Sequence, residues 1–331
     1  LLRALDVPAS SQTTVFTRSS FQARRITRRR PRAVYFSDDV YVGYVPGGDV
    51  IELTAVDPRE GLVFYTVERK DTSPRFVRET HRCLQCHAPS RSGGLPVHLL
   101  RSLHPETDGQ PRLRAGSTNV DHATPLTERW GGWYVTGDTG DVPHLGNQVL
   151  AEGQERLSPV GSEHRDLTGL CDTEPYAART SDVVALLVLE HQTHAQNAIV
   201  LAGFEARRAL HYQHSLNEAL GEPAETPVQS TETRLDAAAR KVVDALLFVG
   251  EPELPRPIGA GSPFIAEFEA RGRRDEQGRS LRDFDLERRL FRYPLSYTID
   301  SVAFEGLSAP LRERVWRRLR AVLELSLIHI S

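Results

Sequence analysis

Cys83-Leu84-Gln85-Cys86-His87 constrains this chain more than any other stretch. Two thiols separated by two residues, followed at once by an imidazole, put three reactive groups on one turn of backbone. C-x-x-C-H is the attachment pattern of a c-type haem. The thiols bond the two vinyl groups of one macrocycle, and the histidine supplies the proximal imidazole to iron. Cys83 and Cys86 are therefore expected to hold the haem covalently, and His87 to be the proximal iron ligand. The run occurs once, so one haem c per chain is expected and a multihaem array is not. Two other chemistries compete for the same residues. A thioredoxin-like redox pair wants a strand–helix context, whereas polar, helix-like residues precede this one. A zinc site wants a second Cys/His pair, and the remaining cysteine, Cys171, stands alone. Cys171 reads as a small buried hydrophobe.

Length and composition set the scale. At 331 residues, 39% hydrophobic and 26% charged, the chain is long enough for one large or two ordinary domains with a sizeable core. A net charge of −3 gives no reason to propose nucleic acid as a partner. No stretch reaches the 18 or so charge-free apolar residues that a membrane span needs. The chain starts at Leu1 and contains no Met, so its true start is expected to lie upstream, with any export signal. Residues 326–331 read as an artefactual tail, and His329 in it is given no role. The basic run from Arg24 to Arg32 precedes no apolar export segment. It reads as a solvated segment or a docking patch for an acidic redox partner.

The periodicity changes along the chain, and the expected fold class is α+β. After the N-terminal basic segment, 1–32, a β-rich region with the haem c attachment site is expected over 33–150. Ala33–Phe36, Val40–Val45, Val50–Val56 and Leu62–Val67 are rich in β-branched and aromatic residues and read as a β-meander. Pro46-Gly47-Gly48-Asp49 and Asp57-Pro58-Arg59-Glu60-Gly61 are its turns. Residues 74–82 are polar and suggest a short helix into the thiol pair. Residues 88–125 are loop-rich, as befits a segment that wraps a ligand. Trp130–Gly137 reads as a strand whose two Trp and one Tyr either pack a haem face or form an aromatic corner of the core. A mainly α-helical region follows over 151–325. Its helices are expected from Val183 to about Leu220 behind Ser181 or Asp182, from Ala237 to Val249 behind Thr231 or Thr233, and from Leu311 to Leu325 behind Ser308. Residues 221–230 and 251–278 read as connectors.

Function turns on the iron's sixth ligand. Carriers fill that position, whereas catalysts and gas sensors leave it open. The absence of Met excludes His/Met ligation for this sequence. His191 is the first candidate. The runs Val183–Leu189 and Ala198–Phe204 are apolar on every side, as in a buried helix, and the polar block Glu190–Asn197 between them must be hydrogen-bonded or bind something. Glu190 or Gln192 would orient the ring. The competing reading is a satisfied polar patch, or a helix contact made by Gln192, Gln196 and Asn197. His194, on the same face, is an alternative ligand, as are His144 on a Gly-rich loop and His122 beside Asp121. Trp130, Trp133 and Arg82 are expected haem contacts, and Arg82, Arg91 or Arg129 is suited to pair with a propionate.

The attachment run resembles that of c-type cytochromes in general. Together with Tyr41–Val45, Trp130–Gly137 and Phe291–Tyr297, it resembles an uncharacterised bacterial family carrying one haem c. The resemblance implies export, and a periplasmic or otherwise extracytoplasmic protein, because haem c is attached outside the cytoplasmic membrane. Three functions are compatible: an electron-transferring mono-haem cytochrome with a protein redox partner, a haem enzyme or sensor with an open distal site, or a protein-binding module with a structural haem.

Overall fold

Alternation of apolar residues from 33 to 67 builds the expected meander and extends it at both ends. The computed structural model describes residues 1–68 and 75–328. Strands β2 (Arg32–Phe36), β3 (Val40–Tyr44), β4 (Val50–Asp57) and β5 (Gly61–Glu68) pair antiparallel in succession. On one side β6 (Phe76–Arg78) closes the edge. On the other, β1 (Thr13–Val15) pairs with β2, and β9 (Trp133–Tyr134) pairs with β1. The result is a seven-stranded sheet in the order β6-β5-β4-β3-β2-β1-β9. Two short strands, β7 (Arg101–Ser102) and β8 (Thr118–Asn119), form a separate ribbon in the loop-rich segment.

The second half is helical, giving α+β overall. The central α2 runs Val183–Leu220, with Asp182 accepting hydrogen bonds from the Val184 and Ala185 amides. Among the described residues five further α-helices are α1 (Leu84–His87), α3 (Gln229–Leu246), α4 (Pro263–Ala270), α5 (Val302–Glu305) and α6 (Ala309–Ile328). No helix among the described residues is long and apolar enough to cross a membrane. Residues 183–189 are all buried, as an all-round apolar helix requires. One core unites Phe36, Tyr41, Val56 and Phe64 of the sheet with α2, α3 and Leu311, Val315 and Leu319 of α6. The sheet's other face is covered by Leu2, Leu5, Val7 and Tyr176. The β-rich and helical regions therefore share one interior.

Several local expectations give way. Residues 1–32 are more than a solvated basic segment, since Thr13, Thr14 and Val15 are buried in the sheet. Arg29 and Arg30 pair with Asp172, and Arg32 with Glu52. The strand expected over Trp130–Gly137 shrinks to Trp133–Tyr134. Positive φ at Trp130 (68°) and Gly132 (87°) turns the chain there, and a Cβ on Gly132 would lie 2.2 Å from Thr17. Strand β6 stands where a short helix was expected over 74–82; Pro74 itself lies outside the described residues. Helix α3 starts before Thr231 and Thr233, which turn their hydroxyls to the carbonyls of Ala209 and Gln229 instead of capping it. The Ser308 hydroxyl makes no capping bond to α6. The connector over 251–278 contains α4, capped by Ser262 with Pro263 in its first turn. Of the expected tail, residues 326–328 continue α6, while 329–331, with His329, lie outside the described residues.

Candidate functional site

The sheet edge delivers the thiol pair. After β6 the Glu79 amide donates to the Phe64 carbonyl at 2.9 Å, which ties the departing chain to β5. The buried Glu79 carboxylate accepts from Thr66 Oγ1 (2.8 Å) and from Arg82 Nε (3.0 Å), so Arg82 is held at the entrance to the next turn. Helix α1 is that turn. The His87 amide bonds the Cys83 carbonyl at 3.0 Å, and the i, i+3, i+4 spacing gathers Cys83, Cys86 and His87 on one side. Both cysteines are free thiols, and Cys86 is exposed. Burial pushes the Cys83 thiol up to about 11, the reverse of the lowered pKa that a redox-active C-x-x-C pair uses.

His87 is oriented from two sides. Its ring lies on Phe64, with centroids 4.8 Å apart. Its Nδ1 is 2.9 Å from the Val97 carbonyl oxygen. A carbonyl only accepts, so Nδ1 carries the proton and Nε2 keeps the lone pair. A backbone carbonyl on the far nitrogen is the arrangement that orients a metal-ligating histidine. Burial holds the ring below its ordinary pKa, and hence neutral and able to ligate.

Cys83, Cys86 and His87 open on a cavity of about 450 Å3, within the roughly 300–1,000 Å3 of cofactor pockets. One face of the sheet makes its floor. Val34, Gly43 and Glu52 form one cross-strand row, and Tyr41, Thr54 and Phe64 a second. Leu189 and Thr193 of α2, Trp133, and residues 98–101 complete the walls. The Arg32 guanidinium lies over Gly43 to reach Glu52 (Nη2–Oε2 2.7 Å); a Cβ on Gly43 would come within 2.5 Å of it. Arg82 and Arg101 stand at the same cavity; Arg32 and Arg82 are already paired with Glu52 and Glu79, so Arg101 is the guanidinium there best placed for the carboxylate of a flat apolar macrocycle.

The expected contacts divide. Trp133 and Arg82 line the cavity. Trp130 does not; its indole N–H donates to Glu190 Oε1 (2.7 Å) in the interior. Arg129 is buried on Glu190 Oε2 (2.6 Å), and Arg91 bonds Asn119 at the surface, so neither reaches the cavity. The four histidines considered for the distal position also stand elsewhere. The Nδ1 of His191 is 3.1 Å from His122 Nδ1, and its Nε2 is 2.6 Å from Ser296 Oγ, so both nitrogens are engaged on the opposite side of α2 from Leu189 and Thr193. His122 and His194 pack edge to face at 4.6 Å in that same cluster, with His194 Nδ1 3.6 Å from Asp121. His144 is fully buried over Trp130, its Nδ1 accepting from the Gly146 amide. None of the four lines the cavity. Among the described residues, no group of three or more His, Cys, Asp or Glu has the geometry to hold a metal ion.

The polar block on α2 is a satisfied patch. Gln192 Nε2 donates to the Ser37 carbonyl and to Tyr41 Oη, and Gln196 Nε2 to the Asp38 carbonyl. Asn197 accepts from the His98 amide at 2.7 Å and donates to the His98 carbonyl at 3.0 Å. His98 itself lines the cavity beside His87 and was not visible as a site residue from sequence. Its apolar neighbours Val97, Leu99 and Leu100 were the available signal, since a lone histidine in an apolar run is buried and must find a partner. Cys171 packs against the Phe16, Tyr134 and Leu167 cluster, in keeping with its reading as a small hydrophobe.

Comparisons with known protein families, curated proteins and solved structures find no match.

Proposed function

We propose that the protein is an exported mono-haem c-type cytochrome that transfers single electrons. One observation carries the reading: the two thiols and the lone pair of an oriented, neutral imidazole converge on one cavity of cofactor size. When bound, the haem would supply a reversible one-electron couple. The chain's own residues do the rest. Cys83 and Cys86 anchor the group at the mouth, and the exposure of Cys86 keeps that edge near solvent, where a partner protein can approach. Phe64 and the Val97 carbonyl fix the plane of His87. Arg101 would meet an acidic group on the macrocycle or on an acidic redox partner, and Arg32 and Arg82 would have to share their charge with Glu52 and Glu79. Covalent attachment implies an extracytoplasmic location, periplasmic in a bacterium.

The test is production behind an export signal with a haem c maturation system. A chromophore that survives acid–acetone extraction is expected, and Cys83→Ala/Cys86→Ala should abolish it. A wild-type chain without a covalent chromophore, or one indifferent to the double change, would sink the proposal. Ferrous protein that binds CO readily would favour the enzyme or sensor alternative.

A further inference from the structure

The cavity holds a second imidazole. His98 lines it together with His87, yet its Nε2 is buried and without a hydrogen-bond partner. The residue is only 8% exposed. An unpartnered buried polar atom is costly, and most buried polar atoms in native proteins have a partner in protein or ordered water. The ring is nevertheless held in place. Asn197 clamps the His98 backbone through both its amide and its carbonyl. Tyr41 packs against the ring at 4.3 Å, and the Tyr41 hydroxyl is fixed in turn by Gln192 and Gln196. The two imidazoles are supported alike: His87 on Phe64 and His98 on Tyr41, aromatic residues in one cross-strand row with Thr54 between them. The Gln196 side chain also bears on the ring.

We infer that His98 is the second axial ligand of the iron held by His87, which makes the centre bis-histidine and coordinatively closed. This rests on the haem c reading of the cavity. It replaces His191, whose two nitrogens are already engaged, and accounts for a chain without Met. It also gives Asn197 a positioning role that a core amide would not need.

The experiment uses full-length protein with its covalent haem, read by absorption and electron paramagnetic resonance. Wild type is expected to be low-spin in both oxidation states and not to bind CO. His98→Ala should keep the covalent haem but turn high-spin and bind CO, with added imidazole restoring the low-spin spectrum. His191→Ala should leave the spectrum unchanged. His98→Met, close in volume, covers the case in which His98→Ala fails to fold; it should stay low-spin and shift the midpoint potential upward. Covalent haem that is already high-spin in wild type, or a low-spin spectrum untouched by His98→Ala, overturns the assignment and leaves the haem reading standing. A wild-type chain with no covalent haem removes both.

Discussion

Glu190 shows how a single residue can be easy to notice and hard to interpret. In sequence it is a carboxylate in an apolar helix; in the fold it is buried and fully engaged by Arg129 and Trp130. Arg129 also donates from Nε and Nη2 to the carbonyls of Thr124 and His122, so the pair fastens residues 122–130 to α2. Breaking a buried pair strands an uncompensated charge, which costs about 3–5 kcal/mol. Glu190→Ala should therefore lower stability by that order in urea titration, and Glu190→Leu with Arg129→Met should recover much of it. A loss below about 1 kcal/mol from the single change would show that the pair is not buried as described. His98 is the opposite case: its apolar neighbours are a faint signal in the sequence, and its importance comes from Asn197 and Tyr41, which approach from α2 and β3.

At the level of elements, the helices and the meander were legible because their signals are local. Val183–Leu220 matches its expected limits, and Asp182 rather than Ser181 is its cap. Ser181 Oγ is directed instead to the Tyr134 carbonyl (2.6 Å), where it helps dock β9. Replacing a capping Asp by Ala costs typically ~1 kcal/mol. Asp182→Ala should shift the urea midpoint by that amount, and Asp182→Asn should restore most of it; an unchanged midpoint for Asp182→Ala would count against the cap. Strands β1 and β6, which escaped sequence reading, are only three residues long each. They carry no periodicity of their own and become strands because a neighbouring edge offers unpaired amides and carbonyls.

At the level of the molecule, one core and several buried neutral imidazoles tie stability to pH. Burial pushes His144 down to about 4. His122 falls to about 4 as well, from burial first and then from His194, and Asp121 and Arg129 also face it. Unfolded imidazoles take up protons near pH 6.5. Between about 6.5 and 4 the unfolded chain therefore binds protons that the folded chain refuses. The stability these groups confer is complete above about 6.5 and is lost as pH falls toward 4. Asp39, raised to about 6 by burial and by Asp38, acts with the opposite sign, so the diagnostic is a difference between variants. His144→Gln should flatten the acid-side fall of the thermal midpoint, whereas His214→Gln, at an exposed position, should not. Parallel profiles for wild type and His144→Gln would refute the assignment.

The sequence by itself determined the α+β class, the strand order of the meander, the length of α2 and the spacing of Cys83, Cys86 and His87. These follow from residue type and short-range spacing, which act before the chain is folded. Tertiary structure alone decided what faces the thiol pair. It turned His191 to the far side of α2, buried Trp130 on Glu190, closed the cavity with Trp133 and α2, and brought His98 beside His87. Which side of a helix meets a sheet, and which loop crosses its floor, depend on packing between segments that can lie 155 residues apart, and no local pattern encodes that.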